Sequence, residues 1–448
     1  MVFSRQVSIS SFHRDAWVEI DLSAVEHNVS VIRSWLAVNP KPARLMAVVK
    51  SDAYGHGAPQ VADMLSNSGA EYLGVASVDE GCQLRSASIK SPILILSPTP
   101  FWAIDNALED GLELTIAAVK QARDIDKIAR KRGQRARVHL KVDSGMHRLG
   151  VPPEAAPKLV EEISKLANVD LVSVFSHLAR AGDQATTTAQ LREYESALKR
   201  LKYSRDGKTF FAHLASSEAA RKFPETHFDM VRVGLYLYGL EGTGTSDVLV
   251  PAMSVKGRIN HINQVKEGER VGYNLTWEAR RESRLACVPI GYADGVDRRL
   301  SNRMEGLLLG RKIKQVGIIS MDQMLFDITD VPEAQDGDVI TLIGKDELPT
   351  GRSSKSNKDE NGGSILNASG KHELAEVSLN LANWAEMLDT ITYELACRLR
   401  ARLPRIYTRH HKSGSGSVIA TDIGKQTNAS ADANGTVHSE KLSTKQPR

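Results

Sequence analysis

Eight short apolar runs, separated by helix-like stretches, constrain this chain more than any other feature of it. They fall at residues 47–50, 73–76, 93–96, 114–116, 138–142, 171–175, 209–213 and 231–235. Bounded apolar runs of this length read as buried strands. Stretches such as 153–167 and 188–202 lie between them, and in the second Leu191, Tyr194, Leu198 and Leu201 recur at helical steps. Strand and helix alternating eight times predicts an α/β fold: a parallel (β/α)8 barrel of the TIM type, assigned to residues 15–245. The count alone leaves an open doubly wound sheet as the alternative.

The ends of these runs carry the chemistry. Lys50 ends the first, and Ser-Asp-Ala-Tyr54-Gly-His-Gly57 follows it, so the backbone turns there. A lysine at the end of a buried strand has two readings. It either snorkels to solvent or holds an amine whose pKa burial depresses, ready for a Schiff base or a proton. Lys141 and Arg148 end or follow the fifth run, His177 the sixth, and His213 and Ser217 the seventh; Arg232 lies in the eighth, just before Gly234 and Leu235. In a parallel barrel the carboxyl ends of the strands form one face, so these scattered residues would converge on one mouth.

Beyond about residue 245 the pattern changes to short strands between acidic and glycine-bearing turns, at 255–265, 285–291, 313–319, 324–328 and 339–342. A second, smaller and mainly β domain is expected over 246–410, closing on a helical stretch at about 379–402. Residues 350–372 and 411–448 are polar with few apolar side chains and are expected to be a disordered insertion and tail. Residues 1–14 are expected to be a disordered leader whose basic, serine-bearing composition weakly resembles a transit peptide. A chain of 448 residues with a net charge of +4 demands neither nucleic acid nor a membrane surface, and no apolar run is long enough to span a bilayer. Three cysteines, Cys82, Cys287 and Cys397, lie far apart without metal-ligand spacing. They point to a reducing, cytoplasmic setting and to no metal site.

Several segments then match one family in order: the Lys50 stretch, Lys141-Val-Asp-Ser-Gly-Met-His-Arg148, Ser176-His177-Leu, His213-Leu-Ala-Ser-Ser217, Arg232-Val-Gly234-Leu235, Gly291-Tyr292-Ala-Asp-Gly, Ser320-Met321-Asp-Gln and Arg402-Leu-Pro-Arg-Ile-Tyr407. In this set the chain resembles the alanine racemases, pyridoxal-phosphate enzymes built on a barrel. The resemblance implies a cytoplasmic homodimer with shared active sites that interconverts L- and D-alanine, supplying D-alanine for cell-wall synthesis or serving the catabolism of D-alanine. It implies that Lys50 carries the cofactor and acts as one base, while Tyr292 of the partner subunit acts as the other. It further implies that His177 and Arg232 support Tyr292, with Arg232 against the ring nitrogen. Tyr54, Ser217, Gly234, Leu235 and Tyr407 would hold the phosphate. Arg148 and Met321 would hold the substrate carboxylate, and Lys141 is a candidate for carbamylation. Two departures stand out. Leu178-Ala-Arg-Ala-Gly-Asp183 places its acid one position later than the family usually does, and Ser216 stands where asparagine is common. A racemase of broader amino-acid range and a non-catalytic pyridoxal-phosphate-binding protein are the rival readings.

Overall fold

The computed structural model describes residues 13–240, 248–346 and 378–409. The expected insertion and tail lie outside the described residues, as does the leader up to residue 12. The first strand, β1 (Ala16–Asp21), is followed by the helix Leu22–Leu36, whose N-cap is Asp21: its carboxylate accepts the N–H groups of Ser23 and Ala24. Next come the barrel strands β2 (Arg44–Val48), β3 (Tyr72–Val75), β4 (Ile93–Pro98), β5 (Glu113–Ile116), β6 (Ala136–Lys141), β7 (Val169–Phe175), β8 (Phe211–His213) and β9 (Met230–Val233). They close in sequence order, all parallel, with β9 pairing back onto β2. The barrel expectation therefore holds, and the open sheet is excluded.

The barrel boundary at residue 15 needs correcting. β1 pairs antiparallel with β10 (Met253–Arg258) and parallel with the strand Arg405–Thr408. It thus belongs to the ten-stranded sheet of the second domain. The physical reason lies in its burial. β1 is buried unevenly, with Glu19 and Asp21 half-exposed, as suits a sheet with one wetter face; the barrel strand β3 is buried at every position. Arg14, expected in the leader, is likewise held in place, its guanidinium 2.6 Å from the buried Asp294 carboxylate. Among the described residues the stretch at 255–265 is two strands, Met253–Arg258 and His261–Val265, and the last helical region divides into Leu381–Leu388 and Thr392–Arg398. No helix among the described residues is long and apolar enough to cross a membrane.

Candidate functional site

β2 ends at Val48, two residues before Lys50, and the chain then does something the sequence does not announce. Ser51, Asp52, Ala53 and Tyr54 all take the left-handed helical conformation, with φ of 53–55°. For residues bearing a Cβ this costs about 1–2 kcal/mol each, so the surroundings must impose it. The contacts that do so are on every side. Glu80 accepts the Ser51 N–H at 2.7 Å and the Ala76 N–H at 2.7 Å. Asp52 accepts the Ala58 N–H at 2.7 Å, and the Arg405 guanidinium donates to the Gly55 carbonyl. Gly57 has φ +88°, and a Cβ there would lie 1.7 Å from the Tyr407 hydroxyl. Glycine is thus required both by conformation and by space. The result is a rigid one-turn knuckle that presents Lys50 at its start and Tyr54 at its end.

Lys50 is half-buried at the carboxyl end of the barrel. Its charge reaches Lys141, His177 and Cys397. Lys141 is buried with Nζ 4.3 Å from the centre of the Phe175 ring, and the Arg232 guanidinium lies 5.4 Å from the same ring. Burial, followed by the charges of Arg232 and Arg148, lowers the Lys141 amine to about 7. Burial, then the neighbouring cations led by Arg232, keeps His177 well below the ordinary histidine range, so its ring is neutral.

Arg232 is the hub. Its Nη1 donates to His213 Nδ1 at 3.0 Å and to the His213 carbonyl. Its Nη2 serves the Ser176 carbonyl at 2.7 Å, the Leu214 carbonyl at 3.0 Å and His177 Nδ1 at 3.2 Å. Among the described residues Nε–H alone finds no acceptor. Burial pulls the guanidinium down to about 10, leaving it charged at neutral pH.

Two residues beyond Arg232 the backbone comes into close contact with two hydroxyls. The Gly234 N–H donates to Ser217 Oγ at 3.1 Å, at the start of the helix Ser217–Lys222, and a Cβ on Gly234 would lie 2.6 Å from the Tyr54 hydroxyl. Leu235 opens the turn that follows. Backbone amide, hydroxyl and phenol meet where no side chain could intrude, a cradle suited to an anion's oxygens. Burial pushes the Tyr54 phenol up to about 12, which keeps it a donor. The Tyr407 phenol closes over Gly57, with Asp52 and Arg405 as its charged neighbours.

Tyr292 and Met321 are brought together elsewhere. The N–H of Tyr292 donates to the Ser320 carbonyl and that of Ala293 to the Met321 carbonyl, both at 3.0 Å. Tyr292 is 40% exposed and Met321 53%. Tyr292 lines a cleft of about 750 Å³ with Ser51, Asp52, Gly55, Cys397 and Arg405. Among the described residues no hydrogen bond joins Tyr292 to His177 or Arg232. Arg148 is exposed on the loop that Asp143 organises by accepting the N–H groups of Gly145, Met146 and His147. Asp183, the displaced acid, caps the helix Gln184–Arg200.

The comparisons follow this geometry. The description "Alanine racemase, N-terminal domain" matches residues 20–242, and "Alanine racemase, C-terminal domain" matches residues 252–361. The chain belongs to the alanine racemase family. Alanine racemases are isomerases. The alanine racemase of Nostoc sp. is 39% identical over 403 residues, covering 88% of this chain and 96% of the relative. That of Methanococcus maripaludis is 36% identical over 399 residues, covering 87% of this chain and 98% of its own length. The solved alanine racemase of Clostridium difficile superposes with a TM-score of 0.75 at 31% identity, over 89% of this chain and 97% of that one. The Bartonella henselae structure, described as carrying covalently bound pyridoxal phosphate, has a TM-score of 0.71 at 27% identity, over 88% of this chain and 99% of that one.

Three groups behind the hub, Glu113, His139 and Ser173, go unread in the sequence, whereas His213 reads there as a structural or supporting residue and does support Arg232. The available signal was strand alternation, which sets His139 on the same face of β6 as Lys141.

Proposed function

We propose that the chain is a pyridoxal-phosphate-dependent alanine racemase that works as a homodimer and interconverts L- and D-alanine with two bases on opposite faces of the substrate. The observation that carries this reading is the convergence of Lys50, Lys141, His177 and Arg232 on one barrel mouth beside the Tyr54–Ser217–Gly234 cradle. These residues fit pyridoxal phosphate. The cradle suits its phosphate, the half-buried Lys50 its aldehyde, and the unused Arg232 Nε–H an uncharged ring nitrogen. Leu235 adds the next backbone amide, and the Tyr407 phenol, which closes over the turn that carries Tyr54, adds a further donor for the phosphate.

When bound, pyridoxal phosphate supplies the electron withdrawal that makes the Cα–H of alanine acidic. The protein does the rest. Lys50 Nζ accepts or returns a proton on one face of Cα, and the phenol oxygen of the partner subunit's Tyr292 does so on the other. A free phenol titrates near 10, so Tyr292 needs help. Arg232 can only donate, which leaves His177 Nδ1 bare and its Nε2 protonated. An N–H offered to the phenol oxygen favours the phenolate. Arg232 also withholds a proton from the ring nitrogen, which limits charge withdrawal and favours return of the proton to Cα. Arg148, with the Met321 backbone of the other chain, orients the substrate carboxylate.

Lys141, about half neutral at pH 7, is in that form a nucleophile for carbon dioxide: nitrogen bonds to carbon, one proton leaves, and the resulting carbamate anion pairs with Arg148. Cytoplasmic location accords with three free thiols at Cys82, Cys287 and Cys397. Supply of D-alanine to the cell wall is supported by the family resemblance. Chiral chromatography of L-alanine incubated with the protein and pyridoxal phosphate tests the activity. We expect D-alanine from the native protein and none from Lys50→Ala. No D-alanine from native protein with cofactor bound would overturn the assignment and turn the search to other amino acids.

A further inference from the structure

Behind Arg232 the barrel interior holds a line of buried polar groups that the proposed reaction does not use. His213 Nε2 lies 2.9 Å from Ser173 Oγ; Ser173 Oγ lies 2.6 Å from His139 Nδ1; His139 Nε2 lies 2.6 Å from Glu113 Oε2. His213, Ser173 and His139 are completely buried and Glu113 is 4% exposed. The register of four parallel strands, β5 to β8, creates the line: Glu113 opens β5, His139 on β6 pairs with Ser173 on β7, just after a register shift at Val138/His139, and Phe175 pairs with His213 on β8.

The direction of each hydrogen bond follows from what its ends can do. Guanidinium nitrogens only donate, so His213 Nδ1 must be the acceptor of the 3.0 Å contact from Arg232. A neutral ring then carries its proton on Nε2 and donates it to Ser173 Oγ. The serine hydroxyl must point at the next acceptor, His139 Nδ1, which leaves the His139 proton on Nε2, aimed at Glu113. At the far end burial works against the Glu113 carboxylate, but the hydrogen bond from His139 Nε2 and the charge and hydrogen bond of Arg137 oppose it, and its pKa lies below the ordinary value. Arg137 meets the second carboxylate oxygen at 2.5 Å. The competing assignment, a His139 imidazolium, would give Ser173 Oγ two donors and leave its own hydroxyl without an acceptor among the described residues, an expensive outcome in a buried site.

We propose that Glu113, His139, Ser173 and His213 form a one-way hydrogen-bond chain that locks the His213 tautomer and so holds Arg232 as a fixed donor toward the cofactor ring. The four are positioning residues: only Arg232 would touch the cofactor. The tautomers stand on the contacts alone, whereas the effect on the cofactor rests on the proposed function. Without Ser173 the His213 ring is free to carry its proton on Nδ1, facing the guanidinium donor to donor. Arg232 then loses the contact that seats it.

Two measurements test this. Ring-nitrogen NMR on histidine-labelled native protein should find His213 and His139 both bare at Nδ1 and protonated at Nε2. Protonated Nδ1 on either ring overturns the proposal, and this readout needs no variant to fold. Second, Ser173→Ala should weaken pyridoxal phosphate binding about tenfold, the scale of one lost hydrogen bond to a charged group, and shift the visible absorption of the bound cofactor. Glu113→Gln keeps an acceptor but removes the charge, so it should move the absorption the same way by less. Leu94→Met, in the same barrel interior, should leave both readouts unchanged. Variants that lose only thermal stability while affinity and absorption stay native would contradict the positioning role. A native protein that binds no pyridoxal phosphate would instead defeat the proposed function, and the tautomers would then decide the chain by themselves.

Discussion

Lys141 is a buried amine surrounded by cations, and its energetics follow from that placement. Burial, with Arg232, Arg148 and Lys50, takes its pKa in the folded chain to about 7, against 10.5 for an ordinary lysine. The folded state therefore binds fewer protons than the unfolded state between these values, and the contribution of Lys141 to stability rises with pH across that window. Below about pH 7 the folded chain bears the full penalty of a buried charge. Lys141→Met removes it, so the cofactor-free variant should be more stable than the native chain at pH 7. Its advantage should shrink on the way to pH 10, by on the order of 1.4 kcal/mol for each pH unit of the window. Urea unfolding at a series of pH values measures this. A constant difference would show that Lys141 is not titrating as its surroundings require. Added bicarbonate offers a second probe, since a carbamate exchanges a buried cation for an anion beside Arg148. It should stabilise the native chain and leave Lys141→Met unaffected.

Among the elements, the knuckle after Lys50 shows where reading a sequence runs out. The apolar run and the two glycines marked a strand and a turn, and both are there. Nothing in Ser-Asp-Ala-Tyr prescribes four left-handed residues, because the contacts that impose them come from Glu80 on the next barrel unit and Arg405 near the chain's end. Tertiary structure overrides local preference here, and no local pattern reports it. β1 escaped for a related reason: alternation identified a half-buried strand but not which of two sheets would pair with it. The Gly291–Gly295 turn that carries Tyr292 is anchored by Asp294. Its buried carboxylate accepts the Gly291 N–H at 2.9 Å and meets Arg14 at 2.6 Å and Arg402 at 2.9 Å. Asp294→Ala removes the carboxylate that Arg14 meets, leaves Arg402 with Asp322, and takes away the acceptor of the Gly291 N–H, which frees the turn. A loss of about 2 kcal/mol in unfolding free energy is expected, with a lower kcat for racemisation. An unchanged kcat would show that the turn holds Tyr292 without its anchor.

At the scale of the whole molecule, the strand count, the closed barrel and the residues at its mouth were legible, because apolar runs and their polar ends are local features of the chain. The polar line from Arg232 to Glu113 was not, since only the barrel's register brings five strands' side chains into one row. Among the described residues no hydrogen bond joins the two parts of the proposed site within one chain. Lys50, His177 and Arg232 gather at the barrel mouth, while Tyr292 and Met321 sit exposed on the second domain. Two chains related by a twofold axis would complete each other's sites. The test is to mix Lys50→Ala and Tyr292→Phe chains, each inactive as its own dimer, under conditions that exchange subunits, and to follow the formation of D-alanine from L-alanine. A mixed dimer has one site with both bases and one with neither, so random exchange should restore about a quarter of the native activity. Mixed dimers that form but racemise no faster than either variant alone would contradict the shared site and, with it, the two-base account.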